Sequence, residues 1–267
     1  MADIRIKDKE FVKISSFMRE LIGINLKPEK KVLVENRLAK RIRFYELNSY
    51  SEYFDIVMSN KVELQEMINL LTTNETNFFR QINHYDFLEE EIVPKIGNEI
   101  KVWSAAASNG AEGYSIAMVL DEWSKVRNFN YKILLSDVNE SELNTAMEGV
   151  YPIKYTKDIQ QKYLKRYCLK GTGKYKDYFS ITDELKDKMY FMKVNLNENL
   201  PGIIGECDLI FLRNILIYFD NEKKKQIVEN VITRLKKGGY LFIGHSETLN
   251  KITTQVKPVK PTIYKKT

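Results

Sequence analysis

The first quarter of the chain carries the hydrophobic repeat of amphipathic helices. From residue 8 to residue 71, apolar side chains recur at steps of three or four, and almost no stretch alternates as a strand would. Gly23 suits the end of the first helix, and Pro28 suits the start of the next. The pattern predicts a small all-helical domain over residues 1–72.

After about residue 95, short apolar stretches alternate with helical ones. The predicted strands cover residues 99–104, 131–136, 189–194, 207–212 and 239–244, and the predicted helices cover 114–125, 141–148 and 222–235. This alternation is typical of βαβ units in a mostly parallel, doubly wound sheet. We therefore expect an α/β domain over residues 73–267, with a small β insertion at about 163–190. Residues 262–265 could add a final edge strand.

The composition is that of a packed soluble protein, with 43% hydrophobic and 29% charged residues. The charged first ten residues do not resemble a signal peptide, and no stretch approaches the ~20 apolar residues of a membrane span. We therefore expect a cytoplasmic protein without membrane insertion. The two cysteines lie 39 positions apart and the two histidines have no ligand-like spacing, so neither a disulfide framework nor a metal site is expected.

Basic residues are concentrated in one predicted helix. The formal net charge is +6, and much of the excess lies between residues 27 and 43. Arg37, Lys40 and Arg41 fall at i, i+3 and i+4, on one helix face, and Arg43 follows them. Charge alone leaves two interpretations open: a solvated helix face, or a docking surface for an acidic protein or a nucleic acid.

Two strand ends carry candidate chemistry, because ligands bind beyond the carboxyl ends of the strands in an open α/β sheet. The first strand is followed by small residues and by Gly110, where a backbone could approach a ligand or simply turn tightly. The second ends at Asp137, which could grip ribose hydroxyls or cap the next helix. Since no Walker loop is present for phosphates, the two features together favour S-adenosylmethionine over NAD or ATP.

A later strand end contains polar residues inside an apolar run. Arg213 and Asn214 interrupt the stretch from Asp208 to Phe219. Buried polar side chains are unfavourable unless they are paired, and a site at the strand end would supply partners. The alternative is an arginine whose head reaches solvent from a core strand.

The stretch "LTTNETNFFR", residues 71–80, reads as a helix start. Thr72 to Glu75 has the S/T-x-x-E pattern of a capping box. On the helix that this predicts, Thr76 and Arg80 would share a face, and Phe78 and Phe79 would anchor the segment against the sheet domain.

Four motifs together resemble those of a known family. "LTTNETNFFR", "VWSAAASNGAEGYSIA", "FLRNILIYFD" and "LFIGHSE" follow the order and approximate separations found in the CheR-type chemotaxis receptor glutamate methyltransferases. The resemblance spans about residues 8–264. It implies an N-terminal helical domain, a Rossmann-like class I methyltransferase domain with a small β subdomain, and esterification of glutamates on chemoreceptor helices, with S-adenosylhomocysteine as the second product.

The resemblance also implies site residues. The cofactor contacts would be Asn74, Thr76, Arg80, Glu112, Asp137, Asn195, Leu196, Arg213 and Asn214. Arg80 and Tyr218 match the residues assigned to the reaction centre of the family. Ala111 and Gly113 stand where an acid and a proline are common, and Asn139 stands where an aspartate is common.

The implied reaction needs no general base, because a glutamate with a pKa near ~4.3 is already ionised at neutral pH. Arg80 could orient that carboxylate through a forked hydrogen bond, and Tyr218 could offer its hydroxyl to the carboxylate or its ring to the sulfonium. The resemblance then favours a docking surface over a solvated helix face for Arg37, Lys40, Arg41 and Arg43. The expected partner is the acidic cytoplasmic helices of methyl-accepting chemoreceptors. The enzyme is expected to be a monomer.

Two rival functions remain. A nucleic-acid methyltransferase would suit the pI of about 9.0, but the [ND]-P-P-[FY] stretch of amino-methylating enzymes does not occur in this sequence. A module that only senses the cofactor would not need both Arg80 and Tyr218. Nucleic acid is therefore not an expected partner.

Overall fold

Four amphipathic helices form the N-terminal part of the structure, a computed structural model that describes residues 4–267. They are α1 (Asp8–Ile22), α2 (Lys31–Phe44), α3 (Tyr50–Ser59) and α4 (Lys61–Leu71). Gly23 ends α1 with a φ of 78°, a conformation in which a side chain would be strained. Asn60 caps α4, because its side-chain oxygen accepts the N–H groups of Val62 and Glu63. The predicted all-helical region is thus confirmed.

A buried carboxylate joins three of these helices. Glu63 of α4 is 2% exposed, and its oxygens accept hydrogen bonds from Arg41 Nε at 2.8 Å, Tyr53 Oη at 2.7 Å and Tyr45 Oη at 3.0 Å. Burial disfavours the charged carboxylate, but the hydrogen bonds from these three side chains outweigh it and lower the pKa of Glu63. Arg41 therefore serves the interior of the helical domain.

A seven-stranded sheet forms the second part of the chain. Its strands are β1 (Glu99–Ser104), β2 (Asn130–Asp137), β6 (Met189–Lys193), β7 (Cys207–Leu212), β8 (Leu235–Ile243), β9 (Val256–Lys260) and β10 (Ile263–Lys266). The order is β6-β2-β1-β7-β8-β10-β9. The first five strands in that order run parallel, whereas β10 pairs antiparallel with both β8 and β9. The mostly parallel α/β sheet predicted from the sequence is confirmed.

One strand prediction needs correction. The closing segment does form a strand, β10, but it lies between β8 and β9 rather than at the edge. The edge is β9, a strand that the sequence pattern did not predict. Its side chains from Lys257 to Lys260 are exposed, so they lack the alternation of apolar and polar positions that identifies a half-buried strand.

Of the helices in the second part of the chain, one precedes β1 and the others lie between successive strands. They are α5 (Asn83–Phe87), α6 (Ala111–Arg127), α7 (Glu140–Glu148), α8 (Gln161–Tyr167), α9 (Asp183–Lys186) and α10 (Asn221–Thr233). The first turns of α6 pack very closely on β2. A Cβ added at Gly113 would lie 2.7 Å from Leu135 Cδ2, so the glycine is required for helix-to-strand packing rather than for a phosphate.

A separate three-stranded sheet lies beside the main one. Its strands are β3 (Val150–Pro152), β4 (Cys168–Lys170) and β5 (Tyr178–Ile181), in the antiparallel order β3-β5-β4. Its first strand therefore precedes residues 163–190. A short 3₁₀ helix, Ile153–Asp158, follows β3 and continues toward α8.

The helix predicted to start at Thr72 is not formed. Residues 73–77 have no regular secondary structure. The capping role fails because Thr72 Oγ1 already donates to the carbonyl of Asn69 at the end of α4 and accepts from Asn139 Nδ2 at 2.8 Å. The shared helical face of Thr76 and Arg80 is consequently wrong as well.

The Glu63 network generates a stability prediction. Arg41→Ala should lower the free energy of unfolding by about 2–3 kcal/mol, because it leaves a buried carboxylate without its cation. Arg43→Ala, at an exposed position of the same helix, should change it by less than about 0.5 kcal/mol. Urea denaturation of both variants measures the difference, and equal effects would contradict a structural role for Arg41.

Candidate active site

A cleft opens where the carboxyl ends of β1, β2 and β7 meet. Strand order reverses between β1 and β7, and this is where ligands bind in doubly wound sheets. The space in the cleft amounts to about 690 Å³ when the part open to solvent is included. Eight residues named from the sequence line it: Asn74, Thr76, Arg80, Glu112, Asp137, Arg213, Asn214 and Tyr218. The structure thus brings together residues that are scattered over 145 positions, from 74 to 218.

The other two named cofactor residues, Asn195 and Leu196, lie in an adjoining cavity. Ala106, Asp137 and Val138 line both spaces, so the two lie next to each other. The adjoining cavity is largely apolar, with Ile22, Ile24, Val138, Val194, Leu196 and Phe219 in its walls. Asn195 itself faces the helical domain, since its Nδ2 donates to the Leu21 carbonyl at 2.8 Å.

The helical domain contributes to the cleft, which the sequence did not reveal. Ile24 lies just after α1 and lines both spaces. Its position is held by the next residue, because the Asn25 N–H donates to the Tyr218 carbonyl at 3.0 Å. A single isoleucine after a helix end has no recognisable signal, so only the packing of the two regions identifies it.

Asp137 lies half-buried at the junction of the two spaces. Its two carboxylate oxygens accept the backbone N–H groups of Ser108 at 2.8 Å and Asn139 at 2.9 Å. Burial nevertheless raises the pKa of Asp137. Each oxygen keeps a lone pair for a further donor, so the carboxylate suits a ligand with neighbouring hydroxyls. Asn139, not Asp137, caps α7 by accepting the N–H of Glu142 at 3.1 Å.

Arg213 and Glu112 form a buried ion pair at one side of the cleft. Arg213 Nη1 lies 2.9 Å from Glu112 Oε2, with side-chain exposures of 2% and 12%. Ser104 Oγ donates to the other oxygen of Glu112 at 2.7 Å. Arg213 also donates to Gln81 Oε1 and to the Arg80 carbonyl. The buried arginine is therefore fully paired and does not reach solvent.

Glu247 holds the loop after β7, a role that the sequence reasoning missed. Its carboxylate accepts the N–H groups of Asn214 at 3.0 Å, Leu216 at 2.7 Å and Gly244 at 2.6 Å. Asn214 is thereby fixed with a φ of 58°. The motif "LFIGHSE" contained the signal, since a nearly buried acid directly after a core strand needs donors from the backbone.

Arg80 and Tyr218 are far apart in the sequence, but both line the cleft. Arg80 is half-buried, and its Nη1 donates to the Glu75 carbonyl at 2.6 Å. Its other N–H groups have no hydrogen-bond partner among residues 4–267, so they can bind a ligand carboxylate. Tyr218 is also half-buried at the end of a short 3₁₀ helix, and its side chain lines the cleft.

Backbone conformations that side chains disfavour are gathered around the cleft. Phe79, Gln81, Ser108 and Asn214 all have φ between 49° and 62°. Such residues are held against local strain by surrounding contacts and are enriched at functional sites. Here the contacts are visible: the Phe79 N–H donates to Ser115 Oγ at 2.9 Å, and Phe78 and Phe79 pack against the small sheet and α8.

Neither histidine lines the cleft. His84 is fully buried against Phe242, and burial together with the charge of Arg213 lowers its pKa to about 3. His245 bonds to Asn83 through its Nε2. The described residues, 4–267, therefore place no imidazole in position to take a proton from a substrate bound in the cleft.

The four cations proposed for docking divide into two kinds. Arg41 is bound to Glu63, and Arg37 Nη1 donates to the carbonyls of Leu70 at 3.2 Å and Thr72 at 2.7 Å. Lys40 and Arg43 are exposed on α2.

No helix within residues 4–267 has the length and apolar character needed to cross a bilayer.

Comparison with known proteins covers almost the whole chain. Residues 9–72 match the family described as "CheR methyltransferase, all-alpha domain", and residues 74–265 match "CheR methyltransferase, SAM binding domain". A chemotaxis protein methyltransferase of Borreliella burgdorferi is 35% identical, over 99% of this chain and 96% of that protein. That of Salmonella typhimurium is 34% identical, over 98% and 91%. Chemotaxis protein methyltransferase 2 of Pseudomonas aeruginosa is 35% identical, over 96% and 92%.

The match of residues 74–265 to a SAM binding domain confirms S-adenosylmethionine as the cofactor, as the two strand ends predicted. The cleft fits that molecule, because it combines an apolar cavity with a carboxylate suited to hydroxyls, and among residues 4–267 no glycine lines it as a phosphate cradle would require. The matches to both parts of the chain, and relatives of more than 30% identity over nearly its full length, show that this protein belongs to the CheR methyltransferase family.

Proposed function

We propose that this protein is a protein-glutamate O-methyltransferase that esterifies glutamates on the acidic cytoplasmic helices of chemoreceptors. The observation that carries the proposal is the position of Arg80. Its side chain lines both the cofactor cleft and an open groove beside it, where a carboxylate could meet the reactive methyl group. The relatives named as chemotaxis protein methyltransferases support chemoreceptors as the acceptors.

Chemically distinct walls of the cleft would contact different parts of the cofactor. The apolar cavity around Leu196 and Val138 suits the adenine ring, and Asp137 suits the ribose hydroxyls. The amino-acid end would then lie near Asn74, Thr76 and the Glu112–Arg213 pair. Asn214 would lie on the same side, since Glu247 fixes its backbone.

S-adenosylmethionine, when bound, would supply an electrophilic methyl group to a carboxylate oxygen of the acceptor. The products would be a neutral methyl ester and S-adenosylhomocysteine, whose sulfur would keep the electron pair of the broken carbon–sulfur bond. No proton is transferred, which agrees with a cleft that neither histidine lines.

Arg80 and Tyr218 would orient the acceptor. A guanidinium can bind both oxygens of a carboxylate, and the Arg80 side chain retains N–H groups beyond the one that binds Glu75. Tyr218 can donate its hydroxyl to the same carboxylate or place its ring against the sulfonium. Both act by positioning the reacting atoms in line.

We further propose a two-domain organisation, with residues 1–72 and 73–267 as the units, and a monomeric enzyme that acts in the cytoplasm. The exposed cations Lys40 and Arg43 would face the acidic acceptor. Nucleic acid is not a proposed substrate.

The reaction itself can be tested with radiolabelled cofactor. Incubation with receptor-containing membranes should label the receptor, and brief treatment with base should release the label as methanol. Label on RNA in a parallel incubation, or base-stable label on the receptor, would contradict glutamate esterification.

Arg80→Ala should lower the methylation rate at saturating cofactor on the order of 100-fold, because the acceptor carboxylate loses its orienting cation. Arg80→Lys should recover only part of the rate, since an ammonium cannot form the fork. Arg127→Ala, at an exposed position of α6, is the matched control. A wild-type rate for Arg80→Ala with cofactor bound would rule out this role.

Reversing the charges of Lys40 and Arg43 together should raise the KM for a chemoreceptor fragment several-fold without changing the cofactor Kd. Arg37 and Arg41 are avoided because both bind groups inside the helical domain. Lys251→Glu with Lys257→Glu, two exposed positions outside α2, controls for net charge. An unchanged KM would show that this face of α2 does not dock the acceptor.

The rate should depend little on pH between about 6 and 8, because the acceptor carboxylate is ionised throughout that range. A decrease is expected at lower pH, where the acceptor becomes protonated and Asp137, whose pKa is raised by burial, loses its ability to accept two hydroxyls. A pH–rate profile of kcat/KM measures this. A rise with an apparent pKa near 6.5–7 would instead indicate a general base.

A further inference from the structure

A second depression adjoins the cofactor cleft at residues 73–76. It is an open groove, whose space amounts to about 1150 Å³ when the part open to solvent is included. Thr73, Asn74, Glu75, Thr76 and Arg80 line both spaces. The irregular segment therefore forms part of the wall of both the cleft and the groove.

The groove is bounded by three parts of the fold. Arg37 enters it from helix α2, and Arg80 and Asn77 belong to the segment after α4. The opposite side is the 3₁₀ helix that follows β3, which contributes Lys154, Tyr155, Lys157 and Asp158. A substrate lying here would contact helix α2, the irregular segment and the 3₁₀ helix after β3.

The lining carries four cations and two anions. The cations are Arg37, Arg80, Lys154 and Lys157, and the anions are Glu75 and Asp158. Across residues 4–267, none of the four cations forms an ion pair. The two arginines bind only neutral carbonyl groups. Their positive charge is therefore available to a ligand.

The two lysines project from the same side of a short, well-anchored helix. In a 3₁₀ helix three residues complete a turn, so Lys154 and Lys157 lie one above the other at a rise of about 6 Å. Tyr155 anchors this helix, since its ring contacts Phe78 at 6.3 Å and Tyr151 at 6.1 Å between centroids. The Ile153 N–H also donates to the Asp177 carbonyl at 2.8 Å, which ties the helix to the small sheet.

We propose that Lys154 and Lys157 bind the acidic residues that flank the methylated glutamate, and that they set the enzyme's preference for acidic acceptor segments. The proposal rests on the function proposed above. On an acceptor helix, carboxylates three or four residues apart lie about 5–6 Å from one another, which matches the spacing of the two lysines. Arg80 would hold the reacting glutamate while the lysines hold its neighbours, so the pair acts in recognition rather than in the transfer step.

The test pairs Lys154→Gln/Lys157→Gln with the control Lys251→Gln/Lys257→Gln, which removes the same charge outside the groove. The acceptor is a chemoreceptor cytoplasmic fragment, used with its native sequence and with the acids around the methylated glutamate changed to glutamine. For the native fragment, the groove variant should lose on the order of tenfold in kcat/KM, mainly through KM, because two exposed charge pairs are lost. The control variant and the cofactor Kd should stay at wild-type values.

The neutralised fragment separates recognition from a general loss of activity. The wild-type enzyme should methylate it as slowly as the groove variant methylates the native fragment, and the groove variant should lose nothing further on it. Additive losses, or equal kinetics of wild-type and groove variant on the native fragment, would overturn the proposal. So would single-stranded RNA that inhibits the wild-type enzyme at low micromolar concentration but not the groove variant, because the groove would then bind phosphates.

Failure of the proposed function gives a different result. In that case the wild-type enzyme places no base-labile methyl group on either fragment. If it does place one and the lysine substitutions change nothing, only the recognition role is wrong.

Discussion

The buried ion pair between Arg213 and Glu112 holds the active site together. Two charges removed from water are tolerated only when their hydrogen bonds are well satisfied, and here both side chains are. Glu112 lies in the first turn of helix α6, Arg213 directly follows strand β7, and the bonds from Arg213 to Gln81 and to the Arg80 carbonyl add the segment after α4. Loss of either partner would leave an uncompensated buried charge, so one interaction fixes three walls of the cleft in a single arrangement.

The segment after α4 is irregular, and in this form it brings Asn74, Thr76 and Arg80 to the cleft while it also lines the groove. The segment is held by its neighbours: two phenylalanines pack into the small sheet and α8, and the Phe79 N–H binds Ser115. Disfavoured backbone angles persist here because the surroundings over-determine them.

Charge is partitioned along helix α2 by burial rather than by residue type. Arg41 and Arg37 both bind groups of helix α4 or of its C-terminal end. Arg41 binds the Glu63 carboxylate, and Arg37 binds backbone carbonyls where the helix ends. Lys40 and Arg43 remain in water. The same basic stretch thus serves the fold and offers charge to a partner, which is why substitutions along it have to be chosen position by position.

The sequence by itself determined the helical region, the parallel sheet and the cofactor class, because hydrophobic periodicity is local and the carboxyl ends of parallel strands must meet at one edge. Most residues of the cleft were indicated instead by the resemblance of four motifs to a known family. Only the tertiary structure decided that residues 73–77 do not form a helix. The Thr72 hydroxyl binds Asn69 and Asn139 there, so it does not cap a following helix. The tertiary structure also decided that β9 forms the sheet edge, that Glu247 fixes the loop of Asn214, and that Arg41 is internal. In each of these cases the deciding partner lies far away in sequence, so no local pattern could reveal it.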